Sequence, residues 1–214
     1  MPTPTHILLG RIVALVGAWF LTSTRSEAGA DLTVPLVFIH GLKGAELVDP
    51  AGEVRWLTAG GALGLSTPDL ALATRMADGV QPRGELGPGG VLAKIVLVPW
   101  AIEVDVYESW LLSAAETTRP FHAFTYDWRR DLGETAARFE TFLREIKERH
   151  GVAPQVVAHS MGGLVTLAVL AKDPSLFQSA VFAGVPFAGG VGFLPDLHAG
   201  RATGLSRTIL SGEV

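Results

Sequence analysis

The stretch VVAHSMGGL, residues 156–164, places a serine among small residues at what reads as a turn from strand to helix. A serine hydroxyl is a weak nucleophile until a base takes its proton and N–H donors meet the oxyanion that forms on the substrate. A turn sharp enough to lift that side chain clear of a sheet crowds its neighbours, so the residues two before and two after must be small. Here they are Ala158 and Gly162, which gives A-x-S-x-G, one methyl group away from the G-x-S-x-G form. Ser160 is therefore the candidate nucleophile of an acyl-transfer reaction. Met161 opens the following helix, so its free N–H is a candidate oxyanion donor. The alternative is an ordinary serine that caps a helix.

FIHGLKG, residues 38–44, is the second feature. A His40-Gly41 turn directly after an apolar run can aim the N–H of Leu42 at the same place. Gly41 and Gly44 would permit close backbone approach; a plain glycine turn is the other reading. His40 precedes the serine and reads as a turn-forming residue rather than the base. His159 leaves its strand end on the side opposite Ser160 and reads as a packing residue. The six histidines are scattered with no H-E-x-x-H pair, so no metal site is expected, and the serine chemistry needs no cofactor. With no cysteine, thiolate chemistry and disulfides are excluded. The formal charge of −4 is spread over both signs with no basic stripe, which argues against nucleic acid as a partner.

These residues need elements to hold them. The chain has 214 residues, 48% hydrophobic and 18% charged, a globular composition sized for one domain or part of a larger one. VPLVFIHG (34–41), AKIVLVPW (93–100), FHAFTYDW (121–128), PQVVAHS (154–160) and SAVFAGVPF (179–187) read as strands. Between them, 131–151 has helical periodicity: Leu132, Ala136, Phe139, Leu143 and Ile146 share a face, Asp131 is the expected N-cap and Gly151 the expected stop. Residues 161–174 read as an apolar helix ended by Pro174. Strands alternating with helices predict βαβ units, a mostly parallel sheet and an α/β fold. Residues 42–92, rich in Gly and Pro, read as a long irregular insertion, with 79–90 a loop. Trp100, Tyr107, Trp110, Leu111 and Leu112 cluster within 97–116 and read either as an acyl-binding wall or interfacial surface, or as the packing of a strand and helix.

VFIHGLKGAELVD, the WL at 56–57, YDWRRD (126–131), VVAHSMGG (156–163) and GVPFAGG (184–190) occur in this order, and together they resemble the lecithin:cholesterol acyltransferase-like branch of the α/β hydrolases. The resemblance runs from about residue 34 to the end of the chain. It implies the α/β-hydrolase fold with a doubly wound sheet, a Ser-Asp-His triad and activity on acyl esters, often lipids. Ser160 matches the family nucleophile, and Leu42 and Met161 match the oxyanion donors. Tyr126, Asp127, Trp128 and Arg129 match the YDWR stretch, read as mainly structural, with a pocket-wall role as the alternative.

In this fold the acid and the histidine follow the serine in chain order. After Ser160 the acids are Asp173, Asp196 and Glu213, and the histidine is His198. Asp196 and His198 sit two residues apart, whereas acid and base belong on separate loops after separate strands. The expectation is a chain whose C-terminal strands are missing, ending within a lid, with the triad acid and base unknown and placed beyond Val214. Residues 1–30 have the pattern of a signal peptide: Arg11, an apolar run over 12–21, then Ala28-Gly29-Ala30. An anchor or a buried helix is the alternative there. Export would leave residues 31–214 as a secreted or periplasmic hydrolase domain. The expected partner is a lipid or other acyl ester, presented at a membrane or micelle surface. A soluble carboxylesterase or thioesterase, and a non-catalytic lipid-binding protein on the same fold, remain as alternatives.

Overall fold

The computed structural model of the protein describes residues 34–63, 65–66, 69–70, 72, 86–98 and 102–188. The expectations for residues 1–30, Trp100, Asp196 and His198 lie outside the described residues. In chain order the elements are β1 (Leu36–Ile39), β2 (Ala45–Val48), β3 (Val54–Trp56), α1 (Ala59–Ala62), β4 (Gly87–Val91), β5 (Lys94–Val98), β6 (Ile102–Asp105), α2 (Glu108–Ala115), β7 (Phe121–Phe124), α3 (Leu132–His150), β8 (Gln155–His159), α4 (Met161–Lys172), a 3-10 turn (Pro174–Leu176) and β9 (Ser179–Ala183).

The central sheet is parallel throughout, in the order β7-β1-β8-β9. Its register sets Ile39 beside Phe124 and Ala158, and Ala158 beside Phe182, so all four strands end at one level. The path steps from β1 outward to β7, then jumps back across β1 to β8 and on to β9. The winding direction reverses about β1, the kind of switch point where open α/β sheets place their ligands.

Helices cover both faces. On one, Trp110 of α2 stacks on Phe38 at 4.6 Å and tilts against Phe121 at 5.6 Å. Tyr107 and Trp110 thus follow the packing alternative, while Leu112 is exposed. On the other face, Phe139, Leu143 and Ile146 of α3 are buried with Val37, Ile39, Phe124 and Val156. Each such side chain contributes roughly 1.5–3 kcal/mol by leaving water. Both expected caps of α3 are present. Asp131 accepts hydrogen bonds from the N–H groups of Gly133 and Glu134, and Gly151 ends the helix at φ 72°.

Several boundaries move. The strand expected over 121–128 stops at Phe124, the last residue paired with β1, whose own strand ends at Ile39; Tyr126, Asp127 and Trp128 are buried beyond it. The strand expected over 179–187 stops at Ala183, where Gly184 turns at φ 59°. The helix of 161–174 stops at Lys172; Asp173, restricted by the following proline, is extended at φ −145°. The irregular reading of 42–92 is corrected: it contains an antiparallel sheet, β3-β2-β4. GPGGV carries no side-chain alternation for periodicity to detect. β4 is a strand through the pairing of its backbone with β2, and of its glycines Gly89 is the one closely packed. A Cβ on Gly89 would stand 3.0 Å from Val48 Cγ1.

Candidate active site

Ser160 sits between β8 and α4 at φ 50°, ψ −122°, a conformation non-glycine residues rarely adopt. Such strain, about 1–3 kcal/mol, persists only where the surroundings enforce it. They do so here. The Ser160 N–H donates to Ala183 O at 2.9 Å, tying the turn to the end of β9, and the Ser160 carbonyl accepts from Gly163 N–H at 2.9 Å. Its side chain makes no cap hydrogen bond, so the helix-capping alternative does not describe it.

The small neighbours are dictated by contact. Ala158 is fully buried between Ile39 and Phe182. A Cβ on Gly162 would lie 2.4 Å from His40 O and 2.9 Å from Ile39 O, so α4 starts against the backbone at the end of β1. On Gly163 it would lie 2.1 Å from Val185 Cγ2, the residue after the Gly184 turn.

The 40–44 turn lies against the serine. A Cβ on Gly41 would approach Ser160 Cβ to 2.9 Å and His159 Nδ1 to 3.0 Å; one on Gly44 would meet His40 Cβ at 2.9 Å and the Tyr107 ring at 3.0 Å. Lys43 holds the turn in the left-handed region, φ 62°, and Gly44 N–H donates to Gly41 O at 3.1 Å. Leu42 is 54% exposed at its crest. Among the described residues, no hydrogen bond occupies the N–H of Leu42 or of Met161. The structure thus gathers Gly41, Gly162 and Ser160, with Leu42 and Met161 each one residue along from a close contact.

His40 is fully buried and its ring is fully engaged. Nδ1 donates to Gly41 O at 2.8 Å, and Nε2 accepts from Tyr126 N–H at 3.3 Å. The Tyr126 ring stacks on it at 4.3 Å, and the Tyr126 hydroxyl donates to His40 O at 2.9 Å. Burial pulls the His40 pKa down to about 4, the Gly41 hydrogen bond opposing it, so the ring is neutral. With both nitrogens committed it has no lone pair for a proton from Ser160.

His159, read as a packing residue, does more than pack. Its Nδ1 is 2.7 Å from the hydroxyl of Tyr107, which also accepts the Gly41 N–H at 3.1 Å. The sequence places Tyr107 in an apolar cluster and offers no sign of this contact, because its partners are 52 and 66 residues away. Burial lowers the pKa of His159 and raises that of Tyr107.

The YDWR stretch braces the loops around the sheet's end. Arg129 makes a two-pronged pair with Asp127, Nη2 to Oδ2 at 2.6 Å and Nε to Oδ1 at 2.8 Å, both side chains nearly inaccessible. Its remaining donors reach Leu70 O and Leu86 O. Trp128 Nε1 donates to Ala45 O at 3.1 Å. Asp127 also borders a mixed-charge cleft with Asp49, Arg130, Glu134 and Arg138. None of residues 40–42 or 160–162 lines that cleft. Among the described residues no three metal-ligating side chains converge, and no helix is long and apolar enough to cross a membrane.

The sequence profile of the family described as "Lecithin:cholesterol acyltransferase" matches residues 99–213, a span that holds Ser160 and Met161 and excludes the 40–44 turn. A protein of Saccharomyces cerevisiae (strain ATCC 204508 / S288c), "Uncharacterized protein YJR098C", is 28% identical over 160 residues, covering 73% of this chain and 24% of that protein. The chain thus spans about a quarter of the length of the curated relative it matches. No solved structure matches the chain.

Proposed function

Because the chain belongs to the lecithin:cholesterol acyltransferase family, we propose that it is a serine-dependent acyl-ester hydrolase or O-acyltransferase acting on lipids, built on the α/β-hydrolase fold. One observation carries the reading. Ser160 is held at φ 50° in a turn between strand and helix, its hydroxyl uncommitted to a cap, against a glycine of the 40–44 turn.

In the proposed mechanism Ser160 Oγ attacks the ester carbonyl and passes its proton to a base. The Leu42 and Met161 N–H groups receive the tetrahedral oxyanion, each donor contributing roughly 3–4 kcal/mol to the transition state. The carbonyl then re-forms, the alcohol departs with the proton, and an acyl-serine remains. Water as acceptor completes hydrolysis; a lipid hydroxyl completes transfer. His40 is unavailable as the base, and base and acid are assigned to positions that follow Ser160, the chain order of this fold. Secretion directed by residues 1–30 belongs to the same proposal, and the N-terminus of the mature protein tests it.

A fluorophosphonate probe with peptide mapping is the direct test. We expect one adduct, on Ser160, absent in Ser160→Ala. A folded protein that takes no label there would refute the acyl-serine mechanism and favour a lipid-binding role. Ester turnover that does not rise when substrate passes from monomers to micelles would instead favour a soluble esterase.

A further inference from the structure

Resting on the acyl-serine reading, we infer that Tyr107 is a positioning residue, whose hydroxyl ties together the two turns flanking Ser160 and thereby aims the Leu42 N–H at the oxyanion. A phenol hydroxyl has one proton and two acceptor sites. One acceptor site takes the Gly41 N–H at 3.1 Å, and the hydroxyl shares a second hydrogen bond with His159 Nδ1 at 2.7 Å. The first partner belongs to the 40–44 turn and the second is the residue before the serine. Burial raises the Tyr107 pKa and lowers that of His159, so both groups are uncharged at neutral pH and the hydrogen bond between them persists there.

The tyrosine is itself fixed. Its N–H donates to Ala93 O at 2.8 Å, and its ring meets Phe38 edge-on at 5.1 Å and His159 at 5.5 Å. Gly44 lacks the Cβ that would press on that ring at 3.0 Å. The hydroxyl bond has two consequences for the chemistry. It consumes the Gly41 N–H, which leaves the next amide, Leu42, as the donor offered by this turn. It also pins Gly41 where its Cα hydrogens face Ser160, so any drift of the turn carries Leu42 with it. Displacing a catalytic group by about 1 Å can lower a rate about a hundredfold.

Tyr107→Phe keeps the ring and removes both bonds. Measured on the whole protein, we expect Ser160 labelling by the fluorophosphonate and kcat for a short-chain ester to fall about 10–100-fold, with KM within about twofold of the parent. A merely structural tyrosine would lower the folded fraction and leave the rate per folded molecule intact. Labelling within twofold of the parent, per folded molecule, overturns the inference while leaving the acyl-serine reading standing. A parent that takes no label at Ser160 overturns both. Should Tyr107→Phe fail to fold, the parent answers by amide exchange. Slow exchange at Gly41 N–H supports the tie, and exchange at the rate of an open amide overturns it.

Discussion

At the residue scale, His40 turns a buried hydrogen-bond network into a pH dependence. The folded protein needs this ring neutral, with its pKa at about 4 against the ordinary 6.5. A base whose folded pKa is depressed contributes stability above its unfolded pKa and loses it as pH falls toward the folded one. Going from pH 7 to pH 5, before carboxylates titrate, this one ring should cost about 2 kcal/mol of unfolding free energy. His122 and His159 are shifted the same way, so NMR titration of each ring, alongside urea unfolding at both pH values, apportions the loss. Gly162→Ala is the second residue-scale prediction. Its methyl would meet the His40 carbonyl at 2.4 Å, and backbone cannot swing aside. We expect a loss of about 1–3 kcal/mol in urea unfolding, with Ser160 labelling reduced as well. The need for small residues around Ser160 was legible from spacing alone. The hydrogen bond between Tyr107 and His159 was not, since no local pattern encodes a contact over 52 residues.

At the element scale, α3 shows how far local rules reach. Apolar spacing, cap and stop were all readable from residues 131–151, and the helix occupies that frame. Asp131→Ala should cost about 1 kcal/mol, read by thermal or urea unfolding, since it leaves two N–H groups without an acceptor. The ion pairs between α3 and α4 are a different matter. Glu140 holds Lys172 at 2.6 Å and Arg144 at 2.8 Å, and Arg144 also reaches Asp173 at 2.8 Å. Arg144 and Lys172 hold Glu140 below the usual carboxylate range, and the Ser175 hydroxyl, with Arg144 after it, does the same for Asp173, but the cationic partners stand largely in water and the pairs are screened. Raising salt to 1 M should therefore leave the unfolding midpoint nearly unchanged. The β3-β2-β4 sheet escaped the sequence reading because its glycine strand pairs by backbone, and side-chain periodicity is blind to that.

At the scale of the whole described molecule, the Asp127–Arg129 pair joins strand end and loops. One guanidinium satisfies a buried carboxylate and two carbonyls from segments far apart in the chain. Asp127→Asn would leave that guanidinium buried without its counter-charge. We expect a loss of about 3–5 kcal/mol, visible as a lower urea midpoint, whatever becomes of catalysis. Gly163 and Val185 make a connection of another kind. They belong to two sequence signatures 22 positions apart, yet the isopropyl group of one fills the space the other leaves by having no side chain. Bulk at this junction is a shared quantity. Gly163→Ala alone should unfold the protein more readily, whereas Gly163→Ala with Val185→Ala should recover much of the loss. A lineage drifting through this neighbourhood would have to shorten the valine before it lengthened the glycine, so the order of the two mutations is itself constrained.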